Sequence, residues 1–156
     1  MTILPIFICK ANVGRSQIAE GIFNHIYGLG VAISIAGLEA RKEKYIGAPD
    51  IGISDVLKEY KGVDISTQKI KYLKDMSIQE LHCFNIVVFL FDPVKEGGCD
   101  EECRLGGATP YEYFKTLSIP IFINPVIDPF DLGKEGYKGI IDDIEKLIKE
   151  LPTNAL

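Results

Sequence analysis

Four short apolar runs, separated by amphipathic stretches, set the strongest limit on what this chain can become. "ILPIFI" (3–8), "VAISIA" (31–36), "NIVVFLF" (85–91) and "IPIFI" (119–123) are apolar almost throughout rather than alternating with polar residues. Strands of that kind are covered on both faces. Between them, "SQIAEGIFNHIYG" puts Ile18, Ile22 and Ile26 at helical spacing and stops at Gly28. "DIGISDVLKEYKG" repeats the pattern, with Asp50 as a ready N-cap and Gly62 as a stop. "IQELHCF" reads as a short helical piece, and "YKGIIDDIEKLIKEL" as a closing amphipathic helix ended by Pro152. Strands alternating with helices predict an α/β fold, a three-layer sandwich with a four-stranded parallel sheet. Pro5 sits inside the first run, where a central strand would lose a ladder hydrogen bond, so the strand is expected to begin after it or to bulge there.

Bulk properties narrow the function classes. The chain has 156 residues, enough for one domain over 1–156 and too few for two ordinary ones. A net charge of -5 leaves no basic stripe for nucleic acid. No apolar run approaches membrane-spanning length and no charged leader precedes one, so a cytoplasmic protein with four reduced cysteines is expected. "CDEEC" (Cys99, Cys103) is the nearest approach to a metal-binding pair, but His25 and His82 lie far from it in sequence, and no structural metal is expected.

Cys9 falls where the first strand ends and the first helix begins. In open α/β sheets ligands gather at such carboxyl ends. The following "KANVGRS" is short enough to curl around one small anion, and a helix N-terminus offers unpaired N–H groups and partial positive charge. That setting favours thiolate over thiol. Arg15 can grip two oxygens of a tetrahedral anion, and Ser16 can donate to the sulfur. Asn12 tolerates left-handed backbone, and Gly14 adds freedom. Lys10, Ala11, Asn12, Val13, Gly14 and Ser16 therefore form the expected oxyanion-binding set around Cys9 and Arg15. The chemistry that follows is attack by sulfur on phosphorus, or on arsenic. The plainer alternative is an inert buried cysteine, and a C-x5-R spacing alone is weak support against it.

Sulfur attack expels a poor leaving group unless it is protonated as it departs. "VIDPF" offers Asp128 after the last apolar strand, with Pro129 stiffening the loop; Asp92 in "FDP" is the reserve. Either Asp-Pro pair could also be a simple turn.

"CKANVGRSQIAE" resembles the phosphate loop, placed after strand 1, of the low-molecular-weight protein tyrosine phosphatases and the related thioredoxin-linked arsenate reductases. The likeness continues in register through "IAGLEA", "GVDISTQKIK" and "NPVIDPFD". It implies a cysteine-dependent phosphatase acting on phosphotyrosine-like phosphomonoesters or phosphorylated proteins, with Cys9 as nucleophile, Arg15 as clamp and Asp128 as general acid. The alternative it implies is an arsenate reductase, with arsenate as substrate and thioredoxin or glutaredoxin as partner. In that case Cys99 and Cys103, in the glycine-rich loop "KEGGCDEECRLGG", would swing towards Cys9 as a redox relay. Their acidic neighbours are expected to raise both thiols. A non-catalytic oxyanion-binding module is a further alternative.

The chain also departs from the family pattern. Gly14 stands where many members carry a second cysteine, and Phe91 where the reductases keep theirs; Cys83 is expected at the wrong end of the sheet. Phe130 replaces a tyrosine and could form an apolar wall. Ile35 replaces the serine that braces the loop asparagine, and Ser34 is expected on the opposite face. The reductase branch also binds potassium, and Asn12, Glu20 and Asp64 match three of its ligand positions. Tyr45, Lys42 and Lys44 are expected near the site mouth.

Overall fold

The computed structural model describes residues 3–28, 30–129 and 132–151. Phe130 and Pro152, both singled out above, lie outside them. Nine regular elements follow in order: β1 Pro5–Cys9, α1 Arg15–Tyr27, β2 Ile33–Ala36, α2 Ile51–Lys61, α3 Ile78–Leu81, β3 Ile86–Phe89, α4 Pro110–Lys115, β4 Ile121–Ile123 and α5 Lys134–Glu150. Two 3₁₀ turns, Leu73–Asp75 and Glu101–Cys103, complete the set among the described residues.

The strands form one four-stranded parallel sheet, as the apolar runs predict, and its order is β2-β1-β3-β4. Successive side chains on a strand face opposite ways. Phe7, Cys9, Val88 and Leu90 face one side, where Ile18 and Ile22 of α1, Leu57 of α2 and Ile144 of α5 cover them. Ile6, Ile8, Ile35, Val87 and Phe89 face the other, beneath Leu73, Leu81 and Phe114. That makes three layers. Full burial of a side chain such as Phe7, packed 6.0 Å from the Phe23 ring, is worth about 1.5–3 kcal/mol.

The chain leaves β1 towards β2 on one side and later crosses to β3 on the other. This reversal opens a crevice at the carboxyl ends of β1 and β3. Cys9 ends the central strand β1 at that place.

Several local expectations hold. Asp50 caps α2, accepting from the Ile53 N–H at 3.1 Å, and Gly62 ends the helix in left-handed backbone with φ of 70°. Others need correction. Pro5 neither bulges nor precedes the strand. It is the first residue of β1 and pairs with Ile86, a position that tolerates a missing donor. Ile26 is 43% exposed, because two steps of four residues rotate a side chain about 80° off its starting face. Helix α4 is not among the predicted elements; its sign is "TPYE", a capping box in which Thr109 and Glu112 satisfy each other's backbone N–H groups. Thr109→Ala should lower unfolding free energy by about 1 kcal/mol in urea denaturation, without changing the site.

No helix among the described residues is long and apolar enough to cross a membrane.

Candidate functional site

The segment from Cys9 to Arg15 wraps around the Cys9 sulfur, and its hydrogen bonds explain why. The carbonyl oxygens of the loop point outwards. Gly37 N–H donates to Cys9 O at 2.8 Å, Leu38 and Glu39 to Lys10 O at 3.0 and 2.8 Å, and Asp50 to Val13 O at 2.8 Å. The Gln17 side chain donates to Asn12 O at 2.9 Å. In a trans peptide the next N–H points opposite to the carbonyl, and no cis bond occurs among the described residues. The amides of Ala11, Val13 and Gly14 are therefore turned inwards. Asn12 N–H reaches the sulfur itself at 3.3 Å.

Asn12 makes this curl possible. Its φ is 59°, the left-handed region expected for it. Its fully buried side chain makes four hydrogen bonds, which fix its orientation. The amide nitrogen donates to Ser16 Oγ at 2.7 Å and to Ser34 Oγ at 2.8 Å. The amide oxygen accepts from Gln17 Nε2 at 3.0 Å and from Lys71 N at 2.8 Å. Ser16 Oγ, which accepts from Asn12, also lies within hydrogen-bond reach of Cys9 Sγ, 2.9 Å away. Ser34 in turn donates to Glu20 Oε1 at 2.8 Å.

This overturns the expectation for β2. Ser34, not Ile35, faces Asn12. Its register partner is Phe7, on the α1 side, whereas Ile35 pairs with Ile8 and packs into the opposite layer. The brace is present one residue earlier than expected. Gly14 does not supply left-handed backbone, its φ being -137°. A Cβ there would lie 2.9 Å from Ile53 Cδ1, the tip of a flexible side chain, and 3.4 Å from Pro129 Cγ, so a small side chain fits if Ile53 shifts.

Arg15 is buried at the start of α1. Its Nη1 donates to Leu90 O at 3.1 Å and to Val126 O at 2.9 Å, which ties the guanidinium to the ends of β3 and β4. Its Nη2 lies 3.7 Å from Asp128 Oδ2. Cys9, Arg15 and Asp128 line one cavity of about 450 Å³, together with Lys10, Ala11, Val13 and Gly14. Asn12 and Ser16 stand behind the sulfur rather than in the cavity. Lys10 pairs with Glu96 at 3.1 Å. Tyr45, Lys44, Arg41 and Tyr137 frame the mouth; Lys42 does not, its ammonium lying over the Tyr72 ring. Arg41 belongs to the same stretch as Tyr45, whereas Tyr137, from the first turn of α5, carries no local motif that marks it. Asp92 makes a turn instead, accepting from Val94 N–H at 3.0 Å.

Cys99 and Cys103 do not line that cavity. Their loop is tied down rather than free to swing. Asp100 N–H donates to Leu38 O at 2.8 Å, and Asp100 Oδ2 accepts from Ala40 N–H at 2.8 Å. Burial, more than the acidic neighbours, raises both thiols, Cys103 up to about 12. Cys83 is exposed at the opposite end of the sheet, and Phe91 is buried against the Phe89 ring.

The residues matching a potassium site already have partners of their own. Both lone-pair directions of the Asn12 amide oxygen are taken. Glu20 Oε1 faces Lys71 Nζ at 3.3 Å. Asp64, half exposed, lies 3.6 Å from Lys58 Nζ and accepts from Ser66 N–H. Among the described residues, no group of three His, Cys, Asp or Glu side chains is arranged to hold a metal ion.

A thiol ringed by inward amides, a buried guanidinium and a carboxyl group can bind a tetrahedral oxyanion and exchange a group with it. Known proteins share the framework. A low molecular weight protein tyrosine phosphatase from T. tengcongensis is 21% identical, covering 96% of this chain and 97% of its own, with a TM-score of 0.65. An arsenate reductase from Archaeoglobus fulgidus is 20% identical over 94% and 97%, with a TM-score of 0.64. At these identities the likeness speaks for the fold. No curated protein sequence matches the chain. The sequence model of the low molecular weight phosphotyrosine protein phosphatases matches residues 5–155. That match runs from the first residue of β1 to beyond the last of α5, and the chain belongs to this family.

Proposed function

We propose that the protein is a cysteine-dependent phosphatase that hydrolyses phosphotyrosine-like phosphomonoesters. The observation that carries the reading is the Arg15 guanidinium, anchored on Leu90 and Val126 and within 3.7 Å of Asp128, in the same cavity as Cys9. Nucleophile, charge clamp and acid thus have one point of convergence. The Cys9 thiolate attacks phosphorus, the bond from phosphorus to the phenolic oxygen breaks, and the Asp128 carboxyl proton passes to that oxygen. Asp128, now a carboxylate, takes a proton from water as the water oxygen attacks phosphorus. The sulfur–phosphorus bond breaks, phosphate leaves and the thiolate returns. Throughout, Arg15 and the inward amides of Ala11, Val13 and Gly14 hold the three non-bridging oxygens.

Asp128→Asn tests this. Its kcat/KM for phenyl phosphate, which reports the first step, should fall by about 10²–10³-fold. The loss should shrink as the leaving phenol becomes more acidic, because a good leaving group needs less protonation. An equal loss for all leaving groups would remove Asp128 as the acid.

Arsenate reduction is the second reading, and a solved neighbour of this fold is an arsenate reductase. It is less well supported, since Cys99 and Cys103 stand off the cavity with raised thiols. Arsenate-dependent turnover with a thiol reductant, lost in Cys99→Ser or Cys103→Ser, would reverse that order. A module that only binds oxyanions has no use for a nucleophile and an acid in one cavity.

A further inference from the structure

Behind the loop lies a charged pair that the proposed reaction does not use. Glu20 on α1 is buried, and its Oε1 receives the Ser34 hydroxyl at 2.8 Å and Lys71 Nζ at 3.3 Å. A carboxylate in that position without a counter-charge would be strongly unfavourable. Lys71 supplies the charge from a side chain only 21% exposed, and its ammonium also donates to Lys69 O at 2.6 Å. Burial pushes the Lys71 ammonium down, and Glu20 opposes this.

The backbone of the same residue holds the loop. Lys71 N–H donates to Asn12 Oδ1 at 2.8 Å, and Lys71 O accepts from Ala36 N–H at 2.9 Å, next to β2. Ser34 closes the circuit, accepting from Asn12 and donating to Glu20. One carboxylate oxygen and one backbone carbonyl thus surround the ammonium, the oxygen donors that a monovalent cation would otherwise take.

We infer that Lys71 is a positioning residue whose ammonium acts as a built-in counter-cation. Through Glu20, Ser34 and Asn12 it holds the loop around Cys9 in its oxyanion-binding form, so that no free monovalent cation is required. The inference rests on the loop being an oxyanion site, as the proposed phosphatase requires, but not on turnover. Its test therefore uses the binding of inorganic phosphate, which a protein lacking phosphatase activity still reports.

Phosphate affinity of the wild-type protein, measured by calorimetry, should be the same in potassium chloride and in choline chloride at equal ionic strength. Lys71→Met should bind phosphate roughly tenfold more weakly in choline chloride, and potassium should recover most of that loss. A purely structural lysine would give a loss indifferent to the cation. Should Lys71→Met fail to fold, the Glu20→Gln, Lys71→Met pair removes both charges and carries the test. It should bind phosphate equally in the two salts. The inference is overturned if the wild-type protein binds phosphate more tightly in potassium chloride. It is also overturned if Lys71→Met matches the wild type in choline chloride, if potassium fails to restore that variant, or if the paired variant responds to potassium.

Discussion

Cys9→Ser is expected to lose at least about 10⁴-fold in aryl phosphate hydrolysis, as removal of a covalent nucleophile does elsewhere. The fold should survive the change. Serine oxygen can take the Asn12 N–H and the Ser16 hydroxyl that now surround the sulfur. Inorganic phosphate should still bind, because the inward amides and Arg15 remain. Loss of turnover with binding retained separates a missing nucleophile from a collapsed loop. Residual hydrolysis above about 1% of wild type would mean that another group attacks phosphorus.

Arg15→Ala should be nearly as damaging, with kcat/KM lowered by about 10³–10⁴-fold, since two charge-assisted donors are lost from the developing charge. A second effect accompanies it. Leu90 O and Val126 O lose their shared charged donor, though Leu90 O keeps the Val126 N–H at 3.0 Å, and a hydrogen bond to a charged group is worth about 1.5–3 kcal/mol. Stability should fall with activity. Arg15→Lys separates the two, because it restores charge without the planar fork. It should recover stability more than catalysis. In a double-mutant cycle with Asp128→Asn the losses should be less than additive, because Nη2 and Asp128 face one another.

Much of this site could be read from the residues themselves. Cys9 ends a run buried on both faces, and such a run belongs to the middle of a parallel sheet, where crevices form. Asn12 takes the left-handed backbone for which its side chain suits it. What could not be read was register. A shift of one residue in β2 exchanges the layers to which Ser34 and Ile35 belong, and only the pairing of Ser34 with Phe7 decides it. The close neighbours of Gly14, Ile53 and Pro129, are distant in sequence, and nothing local marks them. Cys99 and Cys103 sit in a stretch whose glycines suggest mobility. The anchoring of Asp100 to Leu38 and Ala40 spans about sixty residues and leaves no local sign. Lys71 was hidden for the same reason. A lysine in "STQKIKYLKD" is ordinary until the chain folds and sets it beside Glu20.

The central claim is that phosphorus passes through a bond to one sulfur. Asp128→Asn should slow the second step as well as the first, since the same carboxylate activates water, and the intermediate should accumulate with a substrate whose leaving group needs no acid. Rapid acid quenching of that variant with such an aryl phosphate, followed by peptide mass spectrometry, tests the claim most directly. The expected result is one phosphoryl group on the peptide containing Cys9, appearing with the burst of phenol. Phenol release with no phosphorylated peptide, or with the label on another residue, would contradict it.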